Sequence, residues 1–492
     1  MKKNEQKTEL KIVRNLLNQF NKNINYCHWK SNEHFKDALL GIDDLDILID
    51  RNQYGDVIKI LSDLNFKHFY VPQARTYTGI EDYLGFDEET GKIIHLHLHS
   101  RLVVGEKHLK GFLLPIEKYI LKNKYYNQEY NAYHSSLFDE MLLLILRCSM
   151  KVRKRDIIKK SVIDKKTYKE FKWLKSKNID FQQQIEKNEL LNEKAKKQII
   201  RIFNEEPSFN SLNRLKHILY HDYSCYTQGS GLTNTFKRTH REIKRIFLEI
   251  EKRYLKFNKI FTRRKLATGG VIIAFVGSDG AGKSTTIKEI YDWLFQVMDV
   301  RYFYLGSGDG NSSLLRKPFK LMMKIAQKLN IVKKSNNFSN SKLQPVKKNN
   351  LSLAFKIWTF LLSIERNKKI KQLSICRNYG YIVLTDRYPQ SEFFGLCDGK
   401  KINDNSLAAK KENEMFRIAK LCPPDLAIKM IVDPDVAVNR KPGEIDIETS
   451  KNLTERIKKI KFSPYTKSIL INSNLSKEEV LLNVKKAIWK NI

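Results

Sequence analysis

The sequence predicts an α/β protein in two parts. An N-terminal α+β domain leads into a helical middle region, and a doubly wound parallel sheet follows. Three observations carry this reading. An unbroken apolar run, Val271 to Val276, enters a glycine-rich loop and then a helical pattern, as a buried parallel strand does. From there strand and helix patterns alternate to the C-terminus. Near the N-terminus a second apolar segment, Leu45 to Ile49, carries carboxylates at Asp43, Asp44, Asp46 and Asp50 before, within and after it.

Length and composition bound the rest. At about 150 residues per domain, the 492 residues predict three regions: 1–135, 136–268 and 269–492. Hydrophobic content of 41%, with 11% aromatics, supplies packed cores and excludes a disordered chain. The longest dense apolar run, Met141 to Leu146, falls far short of the roughly 20 residues a membrane span needs. The segment MKKNEQKTELKIVRNLL has no apolar core of the kind a secretory signal requires. Six scattered cysteines show no metal-ligand spacing, so a reduced, cytoplasmic protein is expected. Lys+Arg 90 against Asp+Glu 54 gives +36, which raises the question of nucleic acid. Lysine far outweighs arginine, however, and the Lys-, Asn- and Ile-rich composition is what AT-rich codons favour.

The elements follow in order. Asp50 or Asn52 caps a helix running to Leu64. Tyr83–Phe86 and Ile93–His99 read as two strands around the turn Asp87–Gly91. From Ser136 to about Lys265 the pattern is helical and highly charged, and Lys252–Lys265, ending at Thr268-Gly269-Gly270, reads as a linker. Beyond Val276 the pattern gives a helix (Thr285–Met298), a strand (Arg301–Leu305), an insertion, a helix (Leu351–Tyr379) and a strand (Tyr381–Thr385). Another helix, a strand (Leu426–Val432) and a strand–helix pair from Ser468 complete it. Between Gly310 and Ile364 there is no acidic residue, so this insertion reads as a lid, an arm for an anionic surface, or a solvated excursion.

Gly277-Ser278-Asp279-Gly280-Ala281-Gly282-Lys283-Ser284 matches GxxxxGK[ST], followed by Thr285. In a strand–loop–helix frame this is a phosphate-binding P-loop. Backbone N–H groups and the helix N-terminus wrap phosphate oxygens, Lys283 reaches the β/γ oxygens, and Ser284 holds Mg²⁺. Asp386-Arg387 stands at the end of a predicted buried strand, the ligand-bearing edge of such a sheet. Asp386 is thereby placed to meet the metal or its waters, and Arg387 to hold the transferred phosphate.

With these residues the chain from about Gly270 to Ile492 resembles the thymidylate kinase family of P-loop nucleoside monophosphate kinases. The likeness rests on VGSDGAGKST (Val276–Thr285), DRYPQS (Asp386–Ser391), the Pro424-Asp425-Leu426 strand entry and Asp433–Arg440 after that strand. It implies an ATP- and Mg²⁺-dependent phosphotransferase in which Arg440, Lys441 and Arg456 of a lid stabilise the transferring phosphoryl group. Where the family places Arg-Glu-Pro-Gly-Gly to hold its acceptor, this chain has Leu305-Gly306-Ser307-Gly308-Asp309-Gly310-Asn311. The ATP half is kept and the acceptor half rewritten, which points away from thymidylate toward another phosphorylated or hydroxylated acceptor.

In the N-terminal region, period-two alternation places Asp44 and Asp46 on one strand face, where both can share Mg²⁺, and Leu45, Ile47 and Ile49 on the other. Trp29-Lys30-Ser31-Asn32 stands upstream, in reach of a triphosphate. Residues 20–150 thereby resemble the nucleotidyltransferase fold, with a WKS-type segment before a GxDxD strand. That fold implies a third carboxylate on a later strand. In His95-Leu96-His97-Leu98-His99, His97 takes its place, and the three histidines share one face. Either the histidines hold a metal such as Zn²⁺ or Mn²⁺, or the transferase site is degenerate or retuned. The expected whole is a cytoplasmic kinase fused to a nucleotidyltransferase-like domain, using ATP and Mg²⁺ on a small anionic acceptor. A homodimer and, by analogy, a place in surface-glycan precursor synthesis are part of that expectation. The competing reading is a basic, ATP-binding protein that associates with nucleic acid, and a third is peripheral membrane contact through the 310–364 segment.

Overall fold

A computed structural model describes residues 9–72, 75–106, 110–153, 163–177, 180–227, 231–250, 263–307, 353–443 and 446–492. Most of the 310–364 insertion, most of the Lys252–Lys265 linker, and Glu444 and Ile445 of the expected lid lie outside the described residues. The chain forms two compact units, Met1–Leu255 and Lys256–Ile492.

The first unit is built on a mixed sheet. Its strands are β1 (Tyr26–His28), β2 (Leu45–Ile49), β3 (Lys67–Tyr70), β4 (Ile80–Phe86), β5 (Ile93–His99), β8 (Tyr125–Asn127) and β9 (Ala132–His134), in the order β3-β4-β5-β2-β1-β9-β8. A separate hairpin pairs β6 (Leu102–Val104) with β7 (Phe112–Leu114). Leu45, Ile47, Ile49, Leu96 and Leu98 join one core with the helix Lys11–Asn23, so the Asp and His positions of β2 and β5 turn to the opposite face. On that side Leu48 and Trp29 share a core with the helix Leu137–Lys151, which Ser136 caps by accepting from the Asp139 N–H. The helices Lys165–Lys175, Phe181–Glu186, Glu193–Glu205 and Phe209–Asp222 complete this core.

The second unit carries a short strand β10 (Lys265–Leu266) and then β11 (Val271–Gly277), β12 (Val300–Tyr304), β13 (Ile382–Asp386), β14 (Leu426–Ile431) and β15 (Lys467–Asn472). The last five make an all-parallel sheet in the order β12-β13-β11-β14-β15. Central β11 is flanked on both edges, and every residue from Ile272 to Val276 is buried, hence the unbroken apolar run. Chain connections diverge here: β13 lies on one side of β11 and β14 on the other, which opens a crevice at the carboxyl edge. The glycine-rich loop leaves β11 at that edge and opens the helix Lys283–Phe295. Two glycines in it have left-handed backbones. Gly280 has φ +84°, and a Cβ there would lie 2.8 Å from the Ala437 carbonyl; Gly282 has φ +79°.

Ile273 sits fully buried between Leu384 and Leu426 of the flanking strands. Ile273→Ala is expected to destabilise the unit that holds it by about 2–5 kcal/mol, read as a lower urea midpoint.

Candidate functional site

In the second unit, strand register brings the predicted residues together. Phe275 of β11 and Tyr304 of β12 both pair with Asp386 of β13. The Arg387 N–H donates to the Phe275 carbonyl at 3.0 Å, which fixes the turn beside the loop. Lys283 is 7% exposed, and its Nζ donates to the Ser278 carbonyl at 2.7 Å. Burial, then the neighbouring Arg387, pulls its ammonium down to about 8. Asp386 is 4% exposed, and its Oδ1 has no hydrogen-bond partner among the described residues. Burial raises its carboxyl, against the pull of Lys283 and Arg387. The Ser278 hydroxyl is likewise buried without a partner, while Ser284 and Thr285 are exposed at the helix start. Two orphaned polar atoms beside a buried ammonium and a helix N-terminus fit a polyphosphate with its hydrated cation.

Arg387 donates to Asp279 at 3.1 Å and lies 3.5 Å from Asp398. Its own backbone is left-handed, φ 68°, as are those of Cys397 (50°) and Asp398 (62°). Arg366, from the helix Leu353–Asn378, pairs with Asp398 at 2.5 Å and donates from Nε to the Leu305 carbonyl at 2.7 Å. Leu305 begins the segment that replaces the expected acceptor motif, so Arg366 ties that segment to the Asp398–Arg387 pair. Burial, then Arg366, lowers the Lys401 ammonium to about 8, and the Lys401 Nζ lies 4.4 Å from the Trp358 ring. Arg366, Asp398 and Lys401 were not legible in the sequence, because no local motif marks them.

The residues expected in a lid divide. Arg440 approaches the Gly280 carbonyl at 3.4 Å and donates to that of Ser473 at 3.0 Å, against the phosphate loop. Arg456 instead lies 5.5 Å from the Phe393 ring, and Lys441 is exposed.

In the first unit, Asp46 of β2 pairs in register with His97 of β5, and His97 with Asp82 of β4. A row of Asp, His and Asp thus crosses three strands on one face. Asp44, one residue before β2, lies 2.8 Å from His95 Nδ1 and 3.8 Å from His97 Nδ1. Lys30, two residues past the end of β1, reaches Asp46 at 2.8 Å. Burial would raise the Asp46 carboxyl, but Lys30, His97 and His99 hold it well below the usual range. His97 is held up at about 9: burial opposes the charge, and Asp46 and Asp82 outweigh it. The sequence places no carboxylate beyond His97, but the structure supplies one in Asp82 from the adjacent strand. Beside this row lies a cavity of about 320 Å³ lined by Asp44, Asp46 and His97 and, among its cations, Lys30, Lys110, Arg147 and Lys166. Burial, then Lys30 and Lys151, pulls Lys110 down to about 8.

Asp398 pairs with buried Arg366 and half-buried Arg387, so Asp398→Asn is expected to cost about 3–5 kcal/mol. Burial works against its charge, but Arg387 and Arg366 hold its carboxyl below the ordinary value. That stabilisation is fully present above about pH 4 and is lost as pH falls through the lowered folded value. Melting midpoints against pH should therefore drop on the acid side in the parent chain and flatten in the variant.

No family model matches the chain. Over 230 residues, 44% of its length and 86% of the relative's, it is 27% identical to the "Uncharacterized ATP-binding protein YghR" of Escherichia coli strain K12. It is 26% identical over 182 residues to the "Uncharacterized ATP-binding protein YghS" of the same strain, covering 35% of this chain and 73% of that one. To the thymidylate kinase of Lactobacillus helveticus it is 24% identical over 191 residues, 37% of this chain and 76% of that enzyme. Among solved structures, thymidylate kinase from Ehrlichia chaffeensis aligns with 45% of this chain and 98% of its own, at 16% identity and a TM-score of 0.24. Deoxyadenosine kinase from M. mycoides aligns with 44% and 98%, at 15% identity and the same TM-score of 0.24. The chain thus has ATP-binding relatives over some two fifths of its length.

Proposed function

We propose that the second unit is an ATP-dependent phosphotransferase acting on a small, anionic acceptor. The observation that carries this reading is the buried pair at the carboxyl edge: Lys283 at the head of the loop helix and Asp386 with an unpartnered oxygen. In the reaction the acceptor oxygen attacks the γ-phosphorus of ATP, the bond from that phosphorus to the β,γ-bridging oxygen breaks, and ADP leaves with the electron pair. Gly277, Asp279, Gly280, Gly282 and Thr285 shape the loop that cradles the phosphates. Ser284 and Asp386 would hold Mg²⁺, which would supply charge neutralisation on the phosphates. Lys283 leaves the Ser278 carbonyl for a phosphate oxygen. Arg387 exchanges Asp279 or Asp398 for the transferring group, and Arg440 covers the loop from outside.

Acceptor recognition falls to the Arg366–Asp398–Arg387 chain and Lys401 beside the Leu305 segment. Three cations held around one buried carboxylate suit a phosphate or carboxylate group on the acceptor. For the first unit we infer a site for a phosphate ester, in keeping with its nucleotidyltransferase likeness, because its cavity sets carboxylates against Lys30, Lys110, Arg147 and Lys166.

ATP consumption by the full chain across a panel of nucleosides, nucleotides and sugar phosphates tests the kinase reading. Lys283→Ala should lower kcat by about 100-fold or more, as loss of a charge-stabilising donor does. Asp386→Asn should act similarly and raise the Mg²⁺ requirement. Unchanged turnover in Lys283→Ala would sink the assignment.

A further inference from the structure

The face of the first sheet that bears Asp44, Asp46 and His97 is built for a cation that takes nitrogen. His95 Nε2 lies 2.6 Å from Asp82 Oδ1. His97 Nε2 faces the same oxygen at 3.6 Å. With Nε2 directed at Asp82, each ring turns Nδ1 the other way. His95 Nδ1 then lies 2.8 Å from Asp44 Oδ1, and His97 Nδ1 lies 3.3 Å from Asp46 Oδ1. A carboxylate behind the ring that fixes the tautomer and aims the other nitrogen is how proteins orient metal-ligating histidines.

Two further observations agree. One donor atom each from Asp44, His95 and His97, and one each from Asp46, His97 and His99, lie within 4.8 Å of one another, with His97 common to both sets. His99 is 3% exposed, its Nε2 points to Asp46 at 3.4 Å, and its Nδ1 has no hydrogen-bond partner among the described residues. Imidazole nitrogen among carboxylates suits late first-row divalent ions, whereas Mg²⁺ prefers an all-oxygen shell.

We propose that the first unit binds one divalent transition ion through Asp44, His95 and His97, with Asp82 as the residue that positions His95. The ion selected is of the Co²⁺ and Zn²⁺ type over Mg²⁺, which departs from the two-aspartate Mg²⁺ site expected of the sequence. It opens onto the cavity that Asp44, Asp46 and His97 line, facing Lys30 and Arg147, where a phosphate oxygen can complete its coordination. The proposal rests on the first unit alone and stands or falls independently of phosphotransfer in the second.

The test uses the full chain, stripped with chelator and titrated with CoCl₂ without nucleotide, followed by visible absorption and calorimetry. One Co²⁺ per chain should bind, be displaced by Zn²⁺, and resist a hundredfold excess of Mg²⁺. Asp82→Asn should weaken Co²⁺ about 10- to 100-fold. His97→Asp should weaken it at least tenfold and let Mg²⁺ compete. Circular dichroism checks folding, and His97→Gln replaces His97→Asp if that variant unfolds. Displacement of Co²⁺ by equimolar Mg²⁺, or Co²⁺ affinity unchanged in either His97 variant, would overturn the proposal.

Discussion

Charge that leaves water must be paired, and the sites on both sheets hold buried charge. In the parallel sheet, Lys283 and Asp386 are withdrawn from solvent at the ends of adjoining elements, and each is brought toward neutrality by that burial. The neighbouring Arg387, Asp398 and Arg366 then form a chain in which each charge has a partner. In the mixed sheet, Asp46 stays ionised only because Lys30, His97 and His99 surround it. Either arrangement is costly without its partners, so the fold must deliver them from distant positions.

Topology makes that delivery. Parallel pairing of β11 with β13 sets Asp386 beside the phosphate loop, more than a hundred residues away in sequence. A long helix carries Arg366 back to the same edge, where it caps the Leu305 carbonyl. In the other sheet, parallel β2–β5 and antiparallel β4–β5 pairing align Asp46, His97 and Asp82 in one row. A one-residue slip in either ladder would turn the row to the opposite face.

What could be read in the sequence was what is local. The phosphate loop is contiguous, its glycines answer to backbone angles and close contacts, and its apolar strand marks burial on both faces. Asp386-Arg387 was legible because a predicted buried strand ended there. The alternation that placed Asp44 and Asp46 on one face also holds, for both meet His97. Asp82 was missed for a physical reason. The apolar signal of its strand starts at Tyr83, whereas β4 begins at Ile80 and takes Glu81 and Asp82 into the ladder, where cross-strand histidines offset the carboxylate. Arg366 and Asp398 gave no signal at all, since their pairing is a product of tertiary contact.

The ion pairs at the phosphate loop have a consequence for the whole chain's electrostatics. Lys283, Arg366, Arg387 and Lys401 stand against Asp279, Asp386, Asp398 and Glu412, four positive groups facing four negative ones. At a distance such a cluster is a multipole whose field dies away quickly, leaving little for ionic strength to screen. The +36 excess is therefore not a property of this cluster. Colloidal behaviour and adhesion to polyanions belong to the lysine-rich exterior, and can be altered there while the balanced interior is left alone.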